Sequence, residues 1–258
     1  NEITILRRRA PDEPFPEQPN HALSQTDLYR RGRVLGIFAE LSYKDGGEGH
    51  ELNEEEVRTK ALALGFDQCE FYKHGNAQGW RFESPRDIVI ALRGTETDCM
   101  EDIKADLRIA REGTEYGLVH RGFLIEVNDL WPQVKADVAV RGDTASKGLY
   151  FTGHSLGGAM ATVMANECYN DPTTLLPVEL HTFGSPRTGD LEWIENIAVT
   201  HHRWQNNNDI VPRMPPNICN RYMHHGVQHY MDSDGYSFFP TRSISIQHHC
   251  QIIIDFIL

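Results

Sequence analysis

Nowhere in this chain do about 20 apolar residues follow one another, the length a helix needs to cross a bilayer, so no transmembrane segment is expected. The closing stretch with Ile252-Ile253-Ile254 is cut by Asp255. Cysteine is sparse and scattered. Cys69, Cys99, Cys168, Cys219 and Cys250 form no C-x-x-C pair, which removes zinc-type spacing. Their odd number leaves at least one thiol free in an isolated monomer and does not decide the redox compartment. Positive charge is short: Lys and Arg total 25 against 37 Asp and Glu, a formal net charge of −12. That balance disfavours a phosphate backbone, and no nucleic-acid partner is expected. The one basic cluster, Arg7-Arg8-Arg9, lies in a proline-rich stretch and reads as a solvated tail. No internal repeat, dividing linker or evident group of metal ligands is present, and no cofactor or metal is expected. No leader segment is visible and the chain opens at Asn1. The compartment stays open, and secretion is compatible with the sequence.

What is present suits one large α/β unit or two small ones. Hydrophobic residues make up 40% of 258, enough for a sizeable core. Residues 1–20, with Pro11, Pro14, Pro16 and Pro19, read as an N-terminal arm, and residues 21–258 as a single domain. Helical spacing of apolar residues predicts a helix over 25–44, and Asn53 followed by Glu56 resembles a capping box. Cys69–Tyr72 and Trp80–Glu83 flank a turn and suggest a hairpin. Asp87–Leu92 is a near-continuous apolar run, as in a strand covered on both faces. A helix interrupted at Pro132 is expected over 123–140, and central strands over 149–152, 178–183 and 200–206. A hairpin is expected from Tyr222–His225 and Val227–Met231, and a short apolar helix over 249–258. Strands alternating with helices imply a mostly parallel sheet.

The chemistry is concentrated in Gly153-His154-Ser155-Leu156-Gly157. It reads G-x-S-x-G, with the β-prone Leu149–Thr152 before it and the helix-forming Gly158–Ala165 after it. A serine on a sharp strand-to-helix turn has its hydroxyl pushed above the sheet, and flanking glycines relieve collisions. The helix N-terminus behind it supplies N–H groups where negative charge develops. Such a serine is a nucleophile if a histidine and a carboxylate reach it.

Further segments occur in an order that resembles the class 3 lipases, the fungal-lipase-like branch of the α/β-hydrolases. They are Ile90–Thr95, Asp102 with Asp106-Leu107, Val119–Phe123, Gly153–Gly158, Thr182–Gly189 and Asn208–Pro212. The resemblance implies an α/β-hydrolase fold, with helices on both faces of the sheet and a short helical lid. It implies Ser155 as nucleophile and Asp209 as the acid. The base lies near the C-terminus, where His248 and His249 compete; laying the family pattern on without gaps favours His249. His224 and His225 fall in a segment like a structural hairpin that precedes the base. The oxyanion hole takes the Leu156 N–H and, after Arg93-Gly94, Thr95.

The lid would be Glu96–Ala110, where Met100, Ile103, Leu107 and Ala110 form one apolar stripe. The family usually carries a tryptophan where this chain has Ile103, which argues against strong interfacial anchoring. The implied activity is hydrolysis of carboxylic esters of lipids, triacylglycerol foremost, at a lipid–water interface. Other substrates compatible with the same motifs are soluble esters of feruloyl type and phospholipids cleaved by an A1 phospholipase. A ligand-binding relative without catalysis would predict a broken triad.

Overall fold

The computed structural model describes residues 25–43, 53–94, 111–206, 209–219 and 221–231. The helices are α1 (Gln25–Leu41), α2 (Glu54–Ala63), α3 (Arg121–Val138), α4 (Leu156–Asn170) and α5 (Leu191–Glu195). The strands are β1 (Gln68–His74), β2 (Ala77–Glu83), β3 (Asp87–Leu92), β4 (Arg111–Thr114), β5 (Gly117–His120), β6 (Gly148–His154), β7 (Pro177–Phe183), β8 (His201–Asn206) and β9 (Val227–Met231). Seven strands form one sheet in the order β1-β2-β3-β6-β7-β8-β9. β1, β2 and β3 pair antiparallel, and every pairing from β3 to β9 is parallel.

The unbroken apolar reading of β3 has a direct cause. Ile88, Ile90 and Leu92 enter the core shared with α3 and α4, while Val89 and Ala91 enter the one shared with α1 and α2. Every residue of β3 and β6 is buried. Helices therefore cover both faces, as a parallel sheet requires. Burying one large apolar side chain contributes about 1.5–3 kcal/mol, so this double core is the main force that holds the central strands in place. Among the described residues no helix is long and apolar enough to cross a membrane.

Several local expectations are met. Asn53 caps α2: its side chain accepts from the Glu56 N–H at 3.0 Å and donates to the Glu56 carboxylate at 3.1 Å. β1 and β2 form the expected hairpin, with His74 opposite Ala77. Others are corrected. Helix α3 runs through Pro132 without a break. Pro132 and Asn128, whose carbonyl loses its helical partner, lie on the exposed face, while Val127, Leu130, Val134 and Val138 on the opposite face are buried and hold the helix on course. The expected hairpin ending at Met231 does not form, because β9 runs parallel to β8. Gly226, at φ 84°, passes so close that a Cβ there would stand 2.4 Å from the His201 carbonyl oxygen, and the chain then enters alongside β8. Residues 222–225 bond elsewhere, with the Met223 N–H donating to Gly189 O at 2.7 Å. The β4–β5 hairpin and α5 carry no signal that the sequence reading caught. The 1–20 arm, the 249–258 helix and the lid segment lie outside the described residues.

Candidate active site

Ser155 stands between β6 and α4 with φ 54° and ψ −130°, in the left-handed half of backbone space. For a residue with a side chain this costs on the order of 1–3 kcal/mol and persists only where surroundings enforce it. They do so here by backbone packed on backbone. A Cβ on Gly153 would stand 2.3 Å from Gly157 O, and one on Gly157 would stand 2.2 Å from Leu92 O. The Ser155 N–H donates to Phe183 O at 2.9 Å, and Ser155 O accepts from the Gly158 N–H at 2.9 Å. Ser155 is 7% exposed. Leu156 opens α4, so its N–H belongs to the first turn, whose donors have no helical acceptor and point along the positive end of the helix dipole.

Asp209 follows β8 and is buried. Its Oδ1 accepts from the Val211 N–H at 2.9 Å, and its N–H donates to Asn206 O at 3.1 Å. Its Oδ2 lies over Gly184, 2.7 Å from where a Cβ would be. Gly184 takes φ 59°, a conformation that glycine adopts without penalty. Ser155 and Asp209 are thus brought together at Phe183-Gly184, the C-terminal end of β7. This is the edge of a parallel sheet where ligands bind in α/β folds. Thr95, His248 and His249 lie outside the described residues.

The loop that carries Asp209 is held by carbonyl bonds that the sequence did not announce. The Arg187 N–H donates to Met214 O at 2.8 Å. The Arg187 guanidinium donates to Pro215 O at 2.6 Å and also to Arg213 O. His224 Nε2 reaches Pro212 O at 2.7 Å. Four successive carbonyls, 212 to 215, are therefore taken by two side chains and one amide. Arg187 was visible in the Ser185-Pro186-Arg187 motif, but nothing in its neighbours announced these partners.

Glu179, His181 and His202 offer ligand atoms within 4.8 Å of one another. Their hydrogen bonds oppose metal coordination. Trp204 Nε1 can only donate, and it meets His181 Nδ1 at 3.1 Å. The His181 proton is therefore on Nε2, where it faces Glu179 Oε2 at 3.0 Å. Arg31 pairs with the other Glu179 oxygen at 2.9 Å. A metal-bound histidine donates from its second nitrogen, whereas this one accepts there. Glu179, His181 and Arg31 form a charge-compensated support beneath α1, while His202 Nδ1 lies 3.0 Å from His229 Nε2. Burial acts to raise the Glu179 carboxyl, but the bonds from His181 and Arg31 outweigh it and hold the group below the usual carboxylate range.

Histidines crowd the β7–β9 side of the sheet, and burial keeps them neutral. His202 and His224 are lowered to about 3 and His229 to about 4, while His181, His201 and His225 are also lowered. The unfolded chain, with imidazoles near the ordinary value of about 6.5, binds more protons than the folded one between that pH and the lowered values. Stability is then full above about pH 6.5 and falls as pH drops through that window, because each proton that only the unfolded chain takes up draws the equilibrium toward unfolding. We expect the melting temperature to decrease steadily from pH 7 to pH 5. A flat profile over that range in a calorimetric series would contradict the buried-imidazole account.

Residues 89–218, half of the chain, match the sequence model for lipase (class 3). A secreted mono- and diacylglycerol lipase of Fusarium solani is 36% identical over 119 residues, which is 44% of this chain and 34% of that protein. A lipase of Rhizopus niveus is 32% identical over 164 residues, 59% of this chain and 41% of that protein. The matched stretches thus span less than half the length of these curated relatives. The solved structure of lipase II from Rhizopus niveus superposes with a TM-score of 0.63 at 22% identity, covering 81% of this chain and 83% of that one. This likeness extends the shared α/β-hydrolase fold over most of the chain.

Proposed function

The chain belongs to the class 3 lipase family, and from that premise we propose that it is a serine hydrolase of lipid carboxylic esters, acylglycerols first. The observation that carries the reading is the strained Ser155 at the head of α4, with the buried Asp209 beside it across Gly184. In this mechanism Ser155 Oγ attacks the ester carbonyl as His249 takes its proton. The tetrahedral oxyanion accepts hydrogen bonds from the Leu156 N–H and from Thr95. His249 returns the proton to the leaving alcohol and an acyl-enzyme remains. Water, deprotonated by His249, then releases the acid and restores Ser155. Asp209 holds the imidazole tautomer and stabilises the imidazolium. His249 and Thr95 enter this scheme from their order in the sequence. The N-terminal arm and a single domain over 21–258 complete the proposal, with secretion as the fitting compartment in line with the secreted Fusarium solani relative.

The test is hydrolysis of p-nitrophenyl esters from acetyl to palmitoyl, alongside emulsified triacylglycerol. The expected result is activity on long chains and on the emulsion. A rate that rises sharply through the solubility limit of a long-chain ester would support a moving lid over 96–110. Activity confined to short soluble esters would overturn the lipase reading and leave an esterase on the same scaffold.

A further inference from the structure

We propose that Tyr43 is a positioning residue for the nucleophile, its phenol holding the His154–Ser155 peptide in the orientation that the left-handed backbone of Ser155 requires. The inference rests on Ser155 being the nucleophile. Tyr43 is buried, two residues beyond the end of α1. The chain there is wound tightly: the Ser42 N–H donates to Phe38 O and the Tyr43 N–H to Glu40 O, both at 3.1 Å. Phe38 and Leu41 anchor this end of α1 in the core with Trp80 and Phe82. The phenol is therefore presented from a rigid support.

Its hydroxyl lies 3.2 Å from the His154 carbonyl oxygen and 3.1 Å from His154 Nδ1. A carbonyl can only accept, so the phenol proton goes to it and the ring nitrogen donates to the phenol oxygen. One oxygen atom thus engages both the main chain and the side chain of the residue before Ser155. The other side of the same peptide is fixed as well, because the Ser155 N–H donates to Phe183 O at 2.9 Å. A peptide plane held at its carbonyl by Tyr43 and at its N–H by β7 has no freedom to rotate. The orientation of that plane sets φ of Ser155, 54°.

The same hydroxyl also touches the opposite wall of the turn. A Cβ on Gly94 would stand 2.6 Å from the Tyr43 oxygen, 2.8 Å from His154 O and 3.1 Å from Gly157 N. Gly94 directly precedes Thr95. Tyr43 thus joins the end of β3 to the serine turn at the point where nucleophile and oxyanion donors must keep their spacing.

Tyr43→Phe deletes one oxygen and keeps the ring. Folded monomer is isolated by gel filtration, and its active sites are counted by labelling to completion with a fluorophosphonate. The expected result on a short soluble ester is kcat per labelled site lower by about 10- to 100-fold, with KM changed by less than about twofold. The rate of fluorophosphonate labelling falls in parallel. Unchanged kcat per labelled site overturns the proposal, as does a variant that loses activity only by yielding fewer folded sites or none. Ser155→Ala separates this from the underlying reading. If Ser155→Ala keeps its activity, the nucleophile assignment fails and the role of Tyr43 with it. If Ser155→Ala is inert and Tyr43→Phe is unaffected, only the role of Tyr43 fails.

Discussion

Ser155→Ala should remove ester hydrolysis almost completely, with kcat lower by about 10⁴- to 10⁶-fold and the residue of activity coming from binding and oxyanion stabilisation. The loss should not come from unfolding. Alanine keeps the Cβ that Ser155 already places at φ 54°, and the backbone bonds to Phe183 and Gly158 do not involve the hydroxyl. Circular dichroism and thermal melting should therefore match the parent. The parent should take up one fluorophosphonate per chain and the variant none. Stoichiometric labelling of the alanine variant would place the nucleophile elsewhere.

Gly157→Ala should be among the most damaging single methyls in the described structure. The added Cβ would stand 2.2 Å from Leu92 O, 2.7 Å from the Arg93 carbonyl carbon and 2.7 Å from Gly94 N. All three obstacles are main chain, so no side-chain rotation relieves them. Helix α4 would have to move away from the end of β3, which separates the serine turn from the Gly94 side of the site. The cost should be about 3 kcal/mol or more, beyond the usual range for overpacking because backbone rather than side chain must yield. Gly142→Ala is the control. Nothing lies within 4 Å of its added Cβ. Urea unfolding of both variants checks the contrast. A Gly157→Ala protein with stability within about 0.5 kcal/mol of Gly142→Ala would contradict the packing described.

Legibility in the sequence followed the range of the interactions. The serine turn is local: an apolar strand, two glycines and a small-residue helix, all close together in the chain, forced its geometry. Asn53 capping α2 is equally local, since donor and acceptor lie three residues apart. β3 was readable because burial on both faces leaves a continuous apolar run. The expected break at Pro132 failed because the buried Val127, Leu130, Val134 and Val138 on either side of it hold the helix to the core, which offsets a local cost of about 3 kcal/mol.

Tyr43 and His154 are separated by 111 positions, and neither carries a local signal that names the other. Arg187 reaches Pro215 across 28 positions, and Trp204 finds His181 across 23. The direction of β9 belongs to the same class, because a strand's partner is chosen by sheet geometry rather than by its own alternation. From its sequence alone, then, this protein had a sharp serine turn, a double-sided sheet and the order of its proposed site residues, because short-range sterics and hydrophobic periodicity act within one element. Tertiary structure decided which side chains hold that turn in its strained form, and that six neighbouring histidines lie buried or half-buried, where loss of water lowers their pKa. Those outcomes depend on which distant groups come within hydrogen-bond reach and on how much water is removed around them, and both are set only once the sheet has assembled.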